Sequence, residues 1–228
     1  MRSSSIVLLS GGLDSLASFH WAHKETDLMF GLTFDYGQRA LEKEVETAAL
    51  ICRHYDVKHK VVALDWYKAM SDLALLDAKA SLPQLTKEEL DDPLLTSKSA
   101  KSVWIPNRNG VFVNVAASIA EAAVATHLVV GFNLEEGKTF SDNSLEYLES
   151  VNKSLGYSTL TKVSILAPMV KKTKKEIVQW GVEEGIDFSH LWSCYRGGDK
   201  MCGVCESCLR CQRALNDGGA GEWLKKLF

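Results

Sequence analysis

"SIVLLSGGLDSLASF", Ser5 to Phe19, decides how the rest of the chain is read. An apolar run ends at Leu9 in Ser10-Gly11-Gly12-Leu13-Asp14-Ser15, and a helical pattern starts inside that loop. A strand that stops at two glycines and enters a helix aims backbone N–H groups at one point, where the helix N-terminus adds positive potential. The hydroxyls of Ser10 and Ser15 add donors, so the loop suits a phosphate or pyrophosphate. It has neither the Gly-Lys-Ser/Thr ending of a Walker loop nor the dinucleotide G-x-G-x-x-G. A serine-capped tight turn is the plain alternative, and two glycines alone would favour it.

Outward from the loop, apolar runs and helical patterns alternate. Ser5–Leu9, Leu28–Tyr36, Lys60–Leu64, His127–Phe132 and Val163–Leu166 read as strands. Leu13–Lys24, Val111–Ala125 and Ser144–Leu155 read as helices, as does a segment with Leu41, Val45, Ala48, Ala49 and Cys52 on one face. Thr173 and Glu176 have capping-box spacing and open a further helix that closes near Gly185. The stretch from Trp66 to Ser102, with Pro83 and Pro93, is too long for a plain connection and reads as an insertion covering a substrate. Strands separated by helices predict an α/β fold, a parallel sheet with helices on both faces and its ligand at the carboxyl ends of the strands.

Bulk properties narrow the setting. The chain has 228 residues, 46% hydrophobic and 24% charged, with a formal net charge of −3. That balance gives no reason to expect a nucleic-acid coat or an anionic membrane as partner. No apolar run approaches the roughly 18 residues of a membrane span. "MRSSSIVLLSGG" has too short an apolar stretch for a signal-peptide core, so a cytoplasmic address is expected. The six histidines are scattered and form no ligand pattern.

Cys52 stands alone on the apolar face of its helix, while Cys194, Cys202, Cys205, Cys208 and Cys211 crowd into eighteen residues. Clustered Cys-x2-Cys pairs in such a chain hold metal more often than they form disulfides. Cys194-x7-Cys202-x2-Cys205-x2-Cys208 suits a closed, structural Zn2+ site of four thiolates. An iron–sulfur cluster is the competing use, although the proline that usually follows the last cysteine is absent.

These segments together resemble one family. "SGGLDS" at Ser10 to Ser15 is similar to the PP-loop of the ATP pyrophosphatases. "TFDYGQR" (Thr33–Arg39), "VWIPNRNGVFVNVAASIAEA" (Val103–Ala122) and "WSCYRGGDKMCGVCESC" (Trp192–Cys208) resemble the motifs of the QueC family, the 7-cyano-7-deazaguanine synthases. The resemblance implies a Rossmann-like domain of the adenine-nucleotide alpha-hydrolase type over residues 1–190, and a zinc-binding tail with a C-terminal helix over 191–228. It implies ATP-dependent adenylation of the carboxylate of 7-carboxy-7-deazaguanine, amidation by ammonia, and dehydration to the nitrile preQ0, in a cytoplasmic homodimer. Leu9 to Ser15 would hold ATP, with Mg2+ accompanying the pyrophosphate near Asp14. Ser10, Asp14, Ser15, Arg39, Arg108 and Lys174 would serve the chemistry, and Tyr36, Gln38, Arg108, Glu136 and Asp142 the substrate. Arg39 and Arg108 could equally make surface ion pairs, and "KKTKK" around Lys174 could be a solvated helix start. The family alignment seats Cys194 as a ligand and leaves Cys211 spare.

Two departures from the family pattern carry expectations of their own. Asn107 replaces a glycine between the proline and arginine of the Pro106–Asn109 loop. Phe140-Ser141-Asp142-Asn143-Ser144 replaces a tyrosine-proline-aspartate-cysteine-arginine segment, and Glu136 stands where an aspartate is usual. The missing guanidinium leaves two outcomes open: nitrile formation by default, or an amide ligase that joins the activated acid to a larger amine, conceivably on a protein.

Overall fold

The computed structural model describes residues 2–70, 73–77 and 79–228. Its strands are β1 (Ser4–Leu8), β2 (Asp27–Asp35), β3 (Lys58–Ala63), β4 (His127–Val129) and β5 (Ser164–Leu166). They form one parallel sheet in the order β3-β2-β1-β4-β5. The strand order reverses at β1, which places the crevice of an open α/β sheet beside the loop that follows it.

Ile6 and Val7 are fully buried and point to opposite faces of the sheet. Ile6 joins one core with Val113 of α4 (Arg108–Ala122) and Leu148 and Leu155 of α6 (Leu145–Ser158). Val7 joins the other with Leu16 of α1 (Leu13–Glu25), Ile51 of α2 (Leu41–His54) and Ile177 of α7 (Lys174–Glu183). A strand covered on both faces is apolar at successive positions, which is why the run Ile6–Leu9 shows no alternation.

Several boundaries differ from the sequence reading for local reasons. β4 leaves the ladder after Val129 rather than Phe132. A Cβ on Gly131 would come within 2.8 Å of the Ser15 nitrogen, so here the chain passes under the first turn of α1. α4 begins at Arg108, three residues before the expected Val111. The insertion contains α3 (Pro93–Val103), whose Asp92 side chain accepts from the amides of Leu94 and Leu95. That Asp-Pro start is a helix signal, but the polar sequence after it hides the periodicity. A short α5 (Leu134–Thr139), capped by Asn133, was also not expected. The capping box at Thr173 and Glu176 forms as read.

The tail contains α8 (Glu206–Asp217), which begins at the Cys205 cap. Trp192, Met201, Cys205 and Leu215 lie in the same core as α1 and α7. Its position therefore rests on the main sheet's helices as well as on its own cysteines.

Candidate active site

Backbone demands dominate the loop after β1. Gly11 has φ +82°, and a Cβ there would sit 2.4 Å from Thr47 Cγ2 on α2. Gly12 is the N-cap of α1. The Ser15 hydroxyl donates to the Gly12 carbonyl at 2.9 Å, and the Ser10 amide approaches Ser15 Oγ at 3.4 Å. The first amides of α1, at Leu13 and Asp14, have no acceptor within the helix. Leu9 and Leu13 are buried and pin the two ends of the turn. From outside, the Gly11 carbonyl accepts the Trp192 amide at 2.9 Å, so the tail holds the loop directly.

Lys174 opens α7 and is almost wholly buried. Its ammonium lies 2.5 Å from Asp14 Oδ2 and 2.8 Å from Glu136 Oε1. The solvated-helix alternative for Lys174 does not hold. Burial, reinforced by the neighbouring Glu136 and Glu135 charges, pushes Asp14 up to about 6 against the pull of Lys174. Burial also opposes ionisation of Glu136, but the Lys174 ammonium more than offsets it and holds that carboxyl below the usual range. Burial alone would discharge Lys174, yet the two carboxylates raise it well above an ordinary lysine. Asp14 Oδ1 is buried with no protein partner. A carboxylate oxygen left free beside an anion-binding loop fits a cation, and Asp14 is the residue that would hold it.

Arg108 faces Tyr36 at 5.9 Å from guanidinium carbon to ring centroid. Burial works against its charge, but Tyr36, Asp142 and Tyr195 keep it ionised. Burial pushes the Tyr36 hydroxyl up to about 12. Asn107, at φ +51°, explains one departure from the family pattern. The position needs a left-handed residue, and asparagine tolerates that region better than most side chains. In the 140–144 segment, Ser144 caps α6 and the Asp142 carbonyl accepts from Asn109 at 3.3 Å. The altered segment thus keeps an acidic residue near enough to Arg108 to favour its charge.

Gln38 and Arg39 line the cleft as well, and their polar groups are engaged by protein partners. Gln38 is buried, accepting from the Tyr36 amide at 3.0 Å and donating to the Phe34 carbonyl and Glu44 at 2.9 Å each. Arg39 donates to the carbonyls of Ala74 and Ala80, at 3.4 and 2.9 Å, and thereby ties the insertion to the end of β2.

The loop, Tyr36, Arg108, Glu136, Lys174 and the segment Trp192–Tyr195 line one cleft of about 310 Å³. That is within the usual size of a small-molecule site. The sequence marks Trp192–Tyr195 only as part of the zinc-binding tail, through Cys194. Its two aromatic residues flanking the first cysteine are the signal that could have marked it as a wall. Glu135 was also missed; its carboxylate accepts from the Lys174 amide at 2.7 Å and so anchors the start of α7.

The sulfurs of Cys194, Cys202, Cys205 and Cys208 lie within 4.8 Å of one another. Cys202 and Cys208 are 3.8 Å apart, about the edge of a tetrahedron with metal–sulfur bonds near 2.3 Å. Amides of Arg196 and Cys202 point at Cys194 Sγ, and that of Cys205 at Cys202 Sγ, an environment suited to thiolates. Four such ligands fit a closed metal site. Cys211 is buried one turn further along α8, outside the group.

The model of the family described as queuosine biosynthesis protein QueC matches residues 4–219. A 7-cyano-7-deazaguanine synthase of Pelotomaculum thermopropionicum is 46% identical over 215 residues, covering 94% of this chain and 97% of its own. One of Methanosarcina barkeri is 43% identical over 218 residues, 94% of each chain. The U34-tRNA thiolase NcsA from Methanococcus maripaludis is similar in fold, with a TM-score of 0.50 at 15% identity. That likeness covers 81% of this chain and 57% of the thiolase. With its loop, cleft and cysteine cluster all inside the matched span, the chain belongs to the QueC family of PP-loop enzymes.

Proposed function

We propose that this chain converts 7-carboxy-7-deazaguanine to 7-cyano-7-deazaguanine, preQ0, as an AMP-forming carbon–nitrogen ligase. The observation that carries the reading is the single cleft in which the PP-loop faces Arg108, Tyr36 and the Lys174 cluster. The names of the relatives at 43 and 46% identity agree with it.

A carboxylate is a poor electrophile and needs a leaving group. Its oxygen attacks the α-phosphorus of ATP and expels pyrophosphate, whose growing charge meets the loop amides and the Ser10 hydroxyl, while Ser15 holds the turn through the Gly12 carbonyl. Ammonia adds to the acyl carbon, loses a proton and displaces AMP, giving the amide. The amide oxygen attacks a second ATP, again releasing pyrophosphate. Loss of both remaining N–H protons and of AMP then leaves the carbon–nitrogen triple bond. Arg108 would hold an anionic group of substrate or nucleotide, since its planar fork binds oxyanions bidentately. Tyr36 offers a face to the flat heterocycle. Gln38 acts by holding Tyr36, and Arg39 by holding the insertion.

Asp14 would hold Mg2+, which when bound neutralises charge on the leaving pyrophosphate. Zn2+ on the four cysteines would be structural, because four thiolates leave no open position. In this reading residues 1–190 carry the chemistry and 191–228 form a metal-held wall. The substrates are free small molecules rather than nucleic acid, and the enzyme works as a homodimer in the cytoplasm.

Mass spectrometry after incubation with ATP, Mg2+, 7-carboxy-7-deazaguanine and ammonia tests the reading. The expected products are the nitrile, AMP and pyrophosphate. Accumulation of the amide alone would overturn the dehydration step, and no ATP turnover would overturn the substrate.

A further inference from the structure

The sequence scatters the histidines, but the fold collects four of the six at one corner. The rings of His20, His23 and His54 surround Tyr55, with centroids 5.7, 5.1 and 5.0 Å away. His54 also faces His190 at 6.1 Å. One ligand atom from each of His54, Asp187 and His190 lies within 4.8 Å of the others.

We propose that His54, Asp187 and His190 form a second metal site, for a divalent transition cation such as Zn2+ or Ni2+. Two imidazoles and one carboxylate are the donor set of such ions, whereas Mg2+ and Ca2+ take oxygen ligands. The three residues come from ends of rigid elements. His54 is the last residue of α2, where the helix dipole favours positive charge. Asp187 caps the short turn Phe188–His190, its Oδ1 accepting from the Ser189 amide at 2.8 Å. That bond orients the carboxylate, as ligating carboxylates are usually held. Phe188 is buried beside them and fixes the turn.

His54 is exposed and the other two are half-buried, so an ion and its waters have access. Donors around a cation with bonds near 2.1 Å lie about 3–3.5 Å apart. The three donors lie within 4.8 Å of one another, and binding would draw them to that spacing through rotation of the exposed and half-buried side chains. His20 takes no part: it is not among the three residues whose donors meet, and its free Nε2 lies instead 3.7 Å from Glu184. Occupancy would tie α2, which packs Thr47 against Gly11, to the segment leading into Trp192, which holds the Gly11 carbonyl. The site is a clamp on the two elements that frame the PP-loop.

The test is equilibrium dialysis of the full chain against excess Zn2+, followed by metal counting, for wild type and the His54→Ala/His190→Ala variant. Wild type is expected to hold one more equivalent of zinc than the variant, whatever the cysteine site holds. With the cysteine site of both chains already filled, further Zn2+ is expected to raise the thermal midpoint of wild type and not that of the variant. A His54→Gln/His190→Gln chain serves the same purpose if the alanine variant fails to fold. Equal zinc content in wild type and a folded variant would overturn the proposal.

Discussion

The two sides of the cleft are built in opposite ways. The PP-loop is six consecutive residues whose geometry lies in the backbone: a left-handed Gly11, a capping Gly12 and one serine hydroxyl on a carbonyl. The facing wall is assembled from segments far apart in the chain and held by charge, with Lys174 reaching Asp14 across 160 positions. The contrast teaches what each side tolerates. The loop has no room for a side chain at Gly11. The wall accepts exchanges that keep local geometry, as the left-handed Asn107 and the Ser144 cap of α6 illustrate.

Breaking the cluster of four thiols should have the largest effect, because the tail supports the loop from the other side. Structural zinc in small peptides contributes about 10–16 kcal/mol of folding free energy. Cys205→Ser is expected to lose bound metal, lower the thermal midpoint and lose pyrophosphate release as the Trp192–Gly11 contact goes. A variant with normal melting and normal rate would break the link between tail and loop. Asp14→Ala comes next. Pyrophosphate release is expected to fall by about 10²–10³-fold, the scale of losing one preorganised electrostatic group. Asp14→Asn separates charge from shape, and a near-normal rate in that variant would mean the carboxylate charge is unused.

A smaller effect tests the loop's own logic. Gly11→Ala should cost about 1–2 kcal/mol for the left-handed backbone. Overpacking against Thr47 should add about 1–3 kcal/mol. Adding Thr47→Ala should recover most of the second cost and none of the first, which chemical denaturation can read. Full recovery would show that backbone conformation at Gly11 is not strained by a side chain.

The same contrast governs what could be read in advance. The PP-loop, the parallel sheet and the four cysteines are legible because each is a short-range pattern: two glycines after an apolar run, strands between helices, thiols at fixed spacing. The protein partners of Gln38 and Arg39 are not legible, because a motif gives a residue's type and not the direction of its side chain. Gln38 turns inward to Phe34 and Glu44, and Arg39 turns to carbonyls of the insertion. Nor could spacing reveal that Lys174 joins Asp14 and Glu136, or that His54 meets His190. Those meetings depend on the β-sheet order, which brings the ends of distant elements together.

The finest test asks whether the wall tunes the loop. Asp14 is pushed up to about 6, first by burial, with Glu136 and Glu135 adding to it and Lys174 opposing. The carboxylate is therefore ionised above about pH 6 and protonated below, so pyrophosphate release should fall as pH drops through that value. The pH profile of kcat/KM reports groups of the free enzyme, the state to which this shift applies. Glu136→Gln removes a like charge near Asp14 and leaves the Lys174 ammonium to Asp14 alone. Both changes favour the ionised form, so the acid limb should move to lower pH. A limb that stays in place would mean that Asp14 does not set it, and that the wall holds the loop's shape without adjusting its charge.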